Sequence, residues 1–263
     1  MNEPTKDVSD NYCCKRLLQT TQRMVKRRQM MRCLYLLGIG LVSVLVCLGP
    51  AGCGNSQQQK YEPEMMTVHT YQIDGLTVRT GDLICTNTTE QESVFGGLFW
   101  RFFGIMIPGE VDHIAVYVGP GGRCVEAGAK YRVITFNIKG NTWDSSKMVE
   151  ERGPILDNLY GVAYPLAGLS LSSEEEAGIR KRVAIYCIRQ AEANKLYNAI
   201  FLDSMTEDAF YCSQLAYKAY LKEGIDLNTG KGVQNFPGMK SIVFPQEIWS
   251  GCMHERASAR VLK

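Results

Sequence analysis

His113, Glu126 and Cys212 are the residues of this 263-residue chain whose types and spacing suit thiol chemistry. A cysteine attacks a carbonyl carbon as its thiolate. It needs a base within hydrogen-bond reach and a third group that orients the base. The stretch CSQLAYKAYLKE reads as a helix that starts at Cys212 and is capped at Gly224. At a helix start, unpaired N–H groups and the helix dipole favour an anionic sulfur. The N–H groups of Cys212 or Ser213 are also placed to hold the oxyanion of a tetrahedral intermediate. Each residue has an ordinary structural use as well. A strand histidine can be a core or surface residue, Glu126 can pair with Arg123 or Lys130, and Cys212 can be a buried thiol.

Positioning His113 and Glu126 falls to a hairpin. HIAVYV at 113–118 alternates in hydropathy, Gly119-Pro120-Gly121-Gly122 is a turn cluster, and 123–127 returns as the second arm. A four-residue loop pairs Val118 with Arg123 and puts Ala115 opposite Glu126. His113, Ala115, Tyr117, Cys124 and Glu126 then share one face, with His113 and Glu126 as diagonal neighbours about 7–8 Å apart at Cα. A shift of one residue would send them to opposite faces.

Further elements follow from the same patterns. Strands are expected at 68–73, 83–86, 131–138 and 161–166. The apolar stretch 91–107, dense in aromatics over 95–107, has helical length in its first part, and Pro108-Gly109 closes it. Ser172 or Ser173 caps a helix running to about Asn194, with Glu174, Glu175 and Glu176 in its first turn. Pro245 opens a last short helix, PQEIWSG. Strands followed by helices give an α+β domain with an antiparallel sheet packed against helices.

GDLI at 81–84, DHIAVYVG at 112–119, VEA at 125–127 and YCSQLAYKAY at 211–220 occur in that order. Together they resemble the circularly permuted papain-like amidases, the YaeF/YiiX-like group of the NlpC superfamily. In that group the triad runs His, Glu, Cys, which corresponds to His113, Glu126 and Cys212. Tyr197-Asn198 stands where the group often has Tyr-Asp, and Phe244-Pro245-Gln246-Glu247 looks like its late Pro-Asp segment. The resemblance spans about 78–250. It implies a permuted papain-like fold and a cysteine amidase or peptidase, with hydrolysis of an amide, peptide or acyl bond. No cofactor and no metal are expected.

The first 52 residues read as an address. Seven basic residues and no acid lie between Lys15 and Arg32, and an apolar run from Cys33 to Leu48 follows. At sixteen residues it is shorter than the roughly twenty of a spanning helix. Basic region, apolar region and small residues make a signal peptide, with translation starting at Met1, Met24, Met30 or Met31. Ala51-Gly52-Cys53 resembles a bacterial lipobox, with Pro50 where a Leu is usual, so Cys53 is the expected lipidation site. The alternative is an uncleaved signal anchor. The expected layout is an address at 1–52, the lipidated Cys53 with a polar tether to 66, and a catalytic domain at 67–263. Both anchors predict an exported, membrane-anchored protein of a bacterial cell envelope. Two or more acyl chains hold such a protein stably.

Residues 1–52 hold eight of the 29 Lys/Arg and three of the 27 Asp/Glu, leaving the rest with 21 basic and 24 acidic groups. A mildly acidic body argues against nucleic acid as a partner. No C-x-x-C and no His cluster points to a metal. Five cysteines remain in the body, an odd number. One is expected to be a free reactive thiol, while Cys85, Cys124, Cys187 and Cys252 either pair or stay buried. The expected substrate is a small amide, a peptide or a cell-wall fragment. Two other readings compete: a lipid-directed acyltransferase or acyl hydrolase, with stretch 95–107 facing the lipid, and a non-catalytic envelope binding module.

Overall fold

Short alternating segments and tight turns build the first half of the domain. The computed structural model describes residues 67–88, 109–154, 156–199, 201, 203–233 and 242–258. The address segment, Cys53, the tether and the aromatic stretch 95–107 lie outside these residues. Strands β1 (Thr70–Ile73) and β2 (Leu76–Arg79) form a small hairpin. Its turn takes Asp74 and Gly75 to φ 47° and 85°, the left-handed region that Asp tolerates and Gly enters freely.

The main sheet contains β3 (Leu83–Thr88), β4 (His113–Tyr117), β5 (Arg123–Ala127), β6 (Val133–Asn137), β7 (Asp157–Tyr164) and β10 (Met253–Arg256). Its spatial order is β10-β7-β3-β4-β5-β6, and every pairing is antiparallel. Between β6 and β7 a 3-10 turn at Ser145–Met148 leads into the one-turn helix α1 (Val149–Arg152). Helix α2 (Ser173–Glu192) starts as expected. The Ser172 hydroxyl accepts from the Glu175 N–H at 3.2 Å, and the Glu175 carboxylate accepts from the Ser172 N–H at 2.8 Å. The helix ends in Ala193, and Asn194 then takes φ 52°, close to the expected terminus. The two-residue strands β8 (Leu196–Tyr197) and β9 (Ala209–Phe210) pair in parallel just before α3 (Cys212–Leu221). Helix α3 ends short of Gly224, with Lys222 as its C-cap. Helix α4 (Pro245–Gly251) has the expected bounds.

The fold is therefore α+β, an antiparallel sheet packed against helices. Alternation along β4 splits the core in two. Ile114 and Val116 join Leu215, Ala216 and Tyr220 of α3 and Val183 and Cys187 of α2. Ala115 and Tyr117 join Cys124, Phe136, Trp143 and Met148 on the other face. Strand β10 is a correction to the order of strands and then helices. It follows the helices and pairs with β7, while MHER is exposed throughout and shows no alternation.

Candidate active site

The hairpin register is the expected one. Val116 pairs with Val125 and Tyr117 with Cys124, numbers that continue to Ala115 opposite Glu126. His113 and Glu126 consequently meet. The His113 Nε2 lies 2.9 Å from the Glu126 Oε2, with the imidazole almost buried and the carboxylate fully so. Gly128 leaves room for this contact. A Cβ there would stand 3.3 Å from the Glu126 Oε1 and 3.6 Å from the His113 Cε1.

Cys212 is the first residue of α3, and its sulfur is near enough to His113 to raise the imidazole. Since Nε2 faces Glu126, Nδ1 is the nitrogen available for sulfur. The neighbours of Cys212 fix the start of α3. The Tyr211 hydroxyl accepts from the Val243 N–H at 3.0 Å, and the Ser213 hydroxyl donates to the Val243 carbonyl at 2.7 Å. Both polar groups of one residue are thus clamped by the residues flanking the thiol, which gives the Tyr-Cys-Ser run a physical role. Gln214 adds a third tie. Its Oε1 accepts from the Tyr211 N–H at 3.2 Å and from the Asn198 Nδ2 at 3.0 Å. Asn198 belongs to the Tyr197-Asn198 pair noted in the sequence, and β8 beside β9 brings it there.

Burial alone would push the His113 imidazole down. The Cys212 sulfur and the Glu126 carboxylate outweigh it and hold His113 well above the ordinary imidazole range. Burial would likewise raise Glu126, but the Arg152 guanidinium, with His113, brings it down to about 2. Glu126 was expected to lie nearer to His113 than to any basic group. Arg152 is as close. Its Nη2 donates to the Glu126 Oε2 at 2.9 Å, and its Nε donates to Oε1 and Oε2 at 3.0 and 3.1 Å. Neither Arg123 nor Lys130 takes that place.

Arg152 and Asp157 are the residues that sequence reasoning missed. Asp157 accepts from the Arg152 Nη1 at 2.8 Å and Nη2 at 2.9 Å, from the Thr86 hydroxyl at 2.8 Å and from the Trp143 Nε1 at 3.0 Å. The guanidinium lies 4.9 Å from the Phe136 ring centre and 4.8 Å from that of Trp143. All three charges of the Glu126–Arg152–Asp157 chain are buried, and removing one partner of such a chain costs about 3–5 kcal/mol. The chain closes on itself, because Thr86 is the cross-strand partner of His113. One sequence signal existed: a lone Arg between two glycine-bounded strands, inside a segment otherwise read as loop.

None of the five described cysteines is in a disulfide. Burial raises Cys85 and Cys124 well above the ordinary thiol range and raises Cys187 as well, while Cys252 is pushed up to about 11. Among the described residues no group of His, Cys, Asp and Glu is arranged to hold a metal, and no helix is long and apolar enough to cross a membrane. His69 and His254 stand apart from the site. The His69 N–H bonds Thr80 at 2.8 Å, and His254 lies against Trp249 with ring centres 4.1 Å apart.

Comparison with known protein families, with curated proteins and with solved structures finds no match.

Proposed function

We propose that the protein is a cysteine hydrolase of permuted papain-like architecture that cleaves an amide or peptide bond through a thioester. The observation that carries this reading is the His113–Glu126 pair at 2.9 Å with Cys212, at the start of α3, acting on the same imidazole. His113 takes the thiol proton at Nδ1 while Glu126 holds Nε2. The thiolate attacks the carbonyl carbon, and first-turn N–H groups of α3, which have no carbonyl one turn earlier in the helix, receive the oxyanion. His113 then protonates the leaving amine. Water, deprotonated by His113, cleaves the thioester and restores the thiol.

The address segment supports a place in a bacterial envelope, with Cys53 lipidated and the membrane as the tethering partner. Peptides of the cell wall and small amides are the substrates that this location offers. The test is mass spectrometry of the purified protein incubated with cell-wall digests and with N-acyl amides, beside Cys212→Ala. New products formed by the native chain and not by the variant are the expected result. Products formed equally by both would sink the proposed role of the thiol.

A further inference from the structure

The charge chain behind the site has features that burial of an arginine does not require. Arg152 is 0% exposed and spends donors on two carboxylates at once, Nε and Nη2 on Glu126 and Nη1 and Nη2 on Asp157. Aromatic rings of β6 and the 143 loop lie near the guanidinium, so the fork has little freedom to turn. Asp157 is held in turn by Thr86 and Trp143. Thr86 sits at an irregularity in the β3–β7 register, between Cys85 and Thr86. Glu126 itself receives from one ring nitrogen of His113 and from two nitrogens of Arg152. No solvent reaches it.

We propose that Arg152, gripped by Asp157, is a positioning residue for the thiol site, one that fixes the Glu126 carboxylate against His113 and balances its charge. The inference rests on the hydrolase reading of that site. A carboxyl group buried without a cation takes up a proton, and a neutral Glu126 no longer stabilises an imidazolium. With Arg152 in place, Glu126, Arg152 and Asp157 sum to one negative charge beside His113. A protonated His113 brings the buried set to neutrality. Cys124, packed near Glu126, is neutral because its thiol is raised by burial and by that same carboxylate. A lysine at 152 would supply the charge at one point, without the fork that reaches two carboxylates.

The test follows the Glu126 carboxyl, so it needs no substrate. The side-chain carboxyl carbon signals of the full chain are titrated by NMR in the native protein, Arg152→Met and Arg152→Lys, with near-ultraviolet circular dichroism to show that each is folded. In Arg152→Met the Glu126 midpoint should rise by about one pH unit or more, the scale of losing one close opposite charge. In Arg152→Lys the rise should be smaller. A folded Arg152→Met whose Glu126 midpoint stays within about 0.3 unit of native would make Arg152 a merely structural residue and overturn the proposal. If both variants fail to fold, the native protein decides. Its Glu126 carboxyl carbon should report the ionised form at about pH 4, and a protonated signal there overturns the proposal. Failure of the hydrolase reading looks different. It appears as a Cys212 no more reactive than the other thiols, and it leaves the titration result standing.

Discussion

Replacing Glu126 by glutamine keeps the shape of the side chain and turns one acceptor into a donor. Either orientation of the amide meets a conflict. With its oxygen at the Oε2 place, glutamine still accepts from His113 and from the Arg152 Nη2, but its NH₂ faces the Arg152 Nε, another donor, at 3.0 Å. With its nitrogen at the Oε2 place, it faces the Arg152 Nη2 and makes His113 accept at Nε2. The ring proton then sits on Nδ1, the nitrogen that takes the proton of Cys212 in the proposed mechanism. The first orientation is the better one. It loses a charge-assisted hydrogen bond and the negative charge that favours an imidazolium, about 1.5–3 kcal/mol. At 1.36 kcal/mol per factor of ten, that is about tenfold to 150-fold in rate. Cys212→Ala and His113→Ala should cost nearly all turnover. Without a known substrate, the assay is site-resolved iodoacetamide labelling of Cys212 at about pH 6, where the sulfur depends most on its imidazolium partner. Glu126→Gln should slow it tenfold or more, and His113→Ala should slow it further. A folded Glu126→Gln protein labelled at the native rate would refute the reasoning, since Glu126 would then hold Arg152 and do nothing for His113.

The acid limb of stability should belong largely to Glu126. Its carboxyl is held down to about 2 from an ordinary 4.5, so it stabilises the fold above about pH 4.5 and that contribution, about 3 kcal/mol, is lost as pH falls towards 2. His113, raised in the fold, contributes below its unfolded value near 6.5 and loses that contribution as pH climbs through its folded value. Urea unfolding at several pH values from 2 to 9 should show both limbs, and Glu126→Gln should flatten the acid one; an unchanged acid limb would count against the assignment. In the native protein, iodoacetamide should modify Cys212 before Cys85, Cys124, Cys187 and Cys252, all of them raised by burial; equal labelling of all five would leave no activated thiol and favour the binding-module reading. Cys53→Ser should release or misprocess the protein in cell fractionation, whereas an unchanged membrane-bound protein of native size would favour a signal anchor.

The hairpin and α3 were readable because their signals are local. Alternation over 113–118, a glycine-rich turn of fixed length and a return strand determine which faces meet, and this register put Glu126 on His113. Ser172 with Glu175, and Pro245 at a first turn, mark helix starts by side-chain and backbone chemistry a few residues long. Arg152 had no such mark. Its role arises from Thr86, Glu126 and Asp157, on three strands, converging on one buried point. The β8–β9 pair was missed because two-residue strands have no period. The thiol was legible as a residue, but its contact with His113 depends on the Tyr211 and Ser213 clamp on Val243, which is 30 residues from Ser213.

The order of the site along the chain also sets when it comes to exist. The base and the acidic residues are in place by Asp157, whereas the sulfur lies 99 residues after His113 and is aimed only when α3 docks and Val243 is seated. A chain emerging from the ribosome or from a translocation channel therefore carries a base with nothing to activate. A fragment cut before α3 stays inert for the same reason. On the proposed hydrolase reading, the sulfur gains its base only when α3 brings it to His113, so activation of the thiol is a property of the assembled domain and not of any one segment.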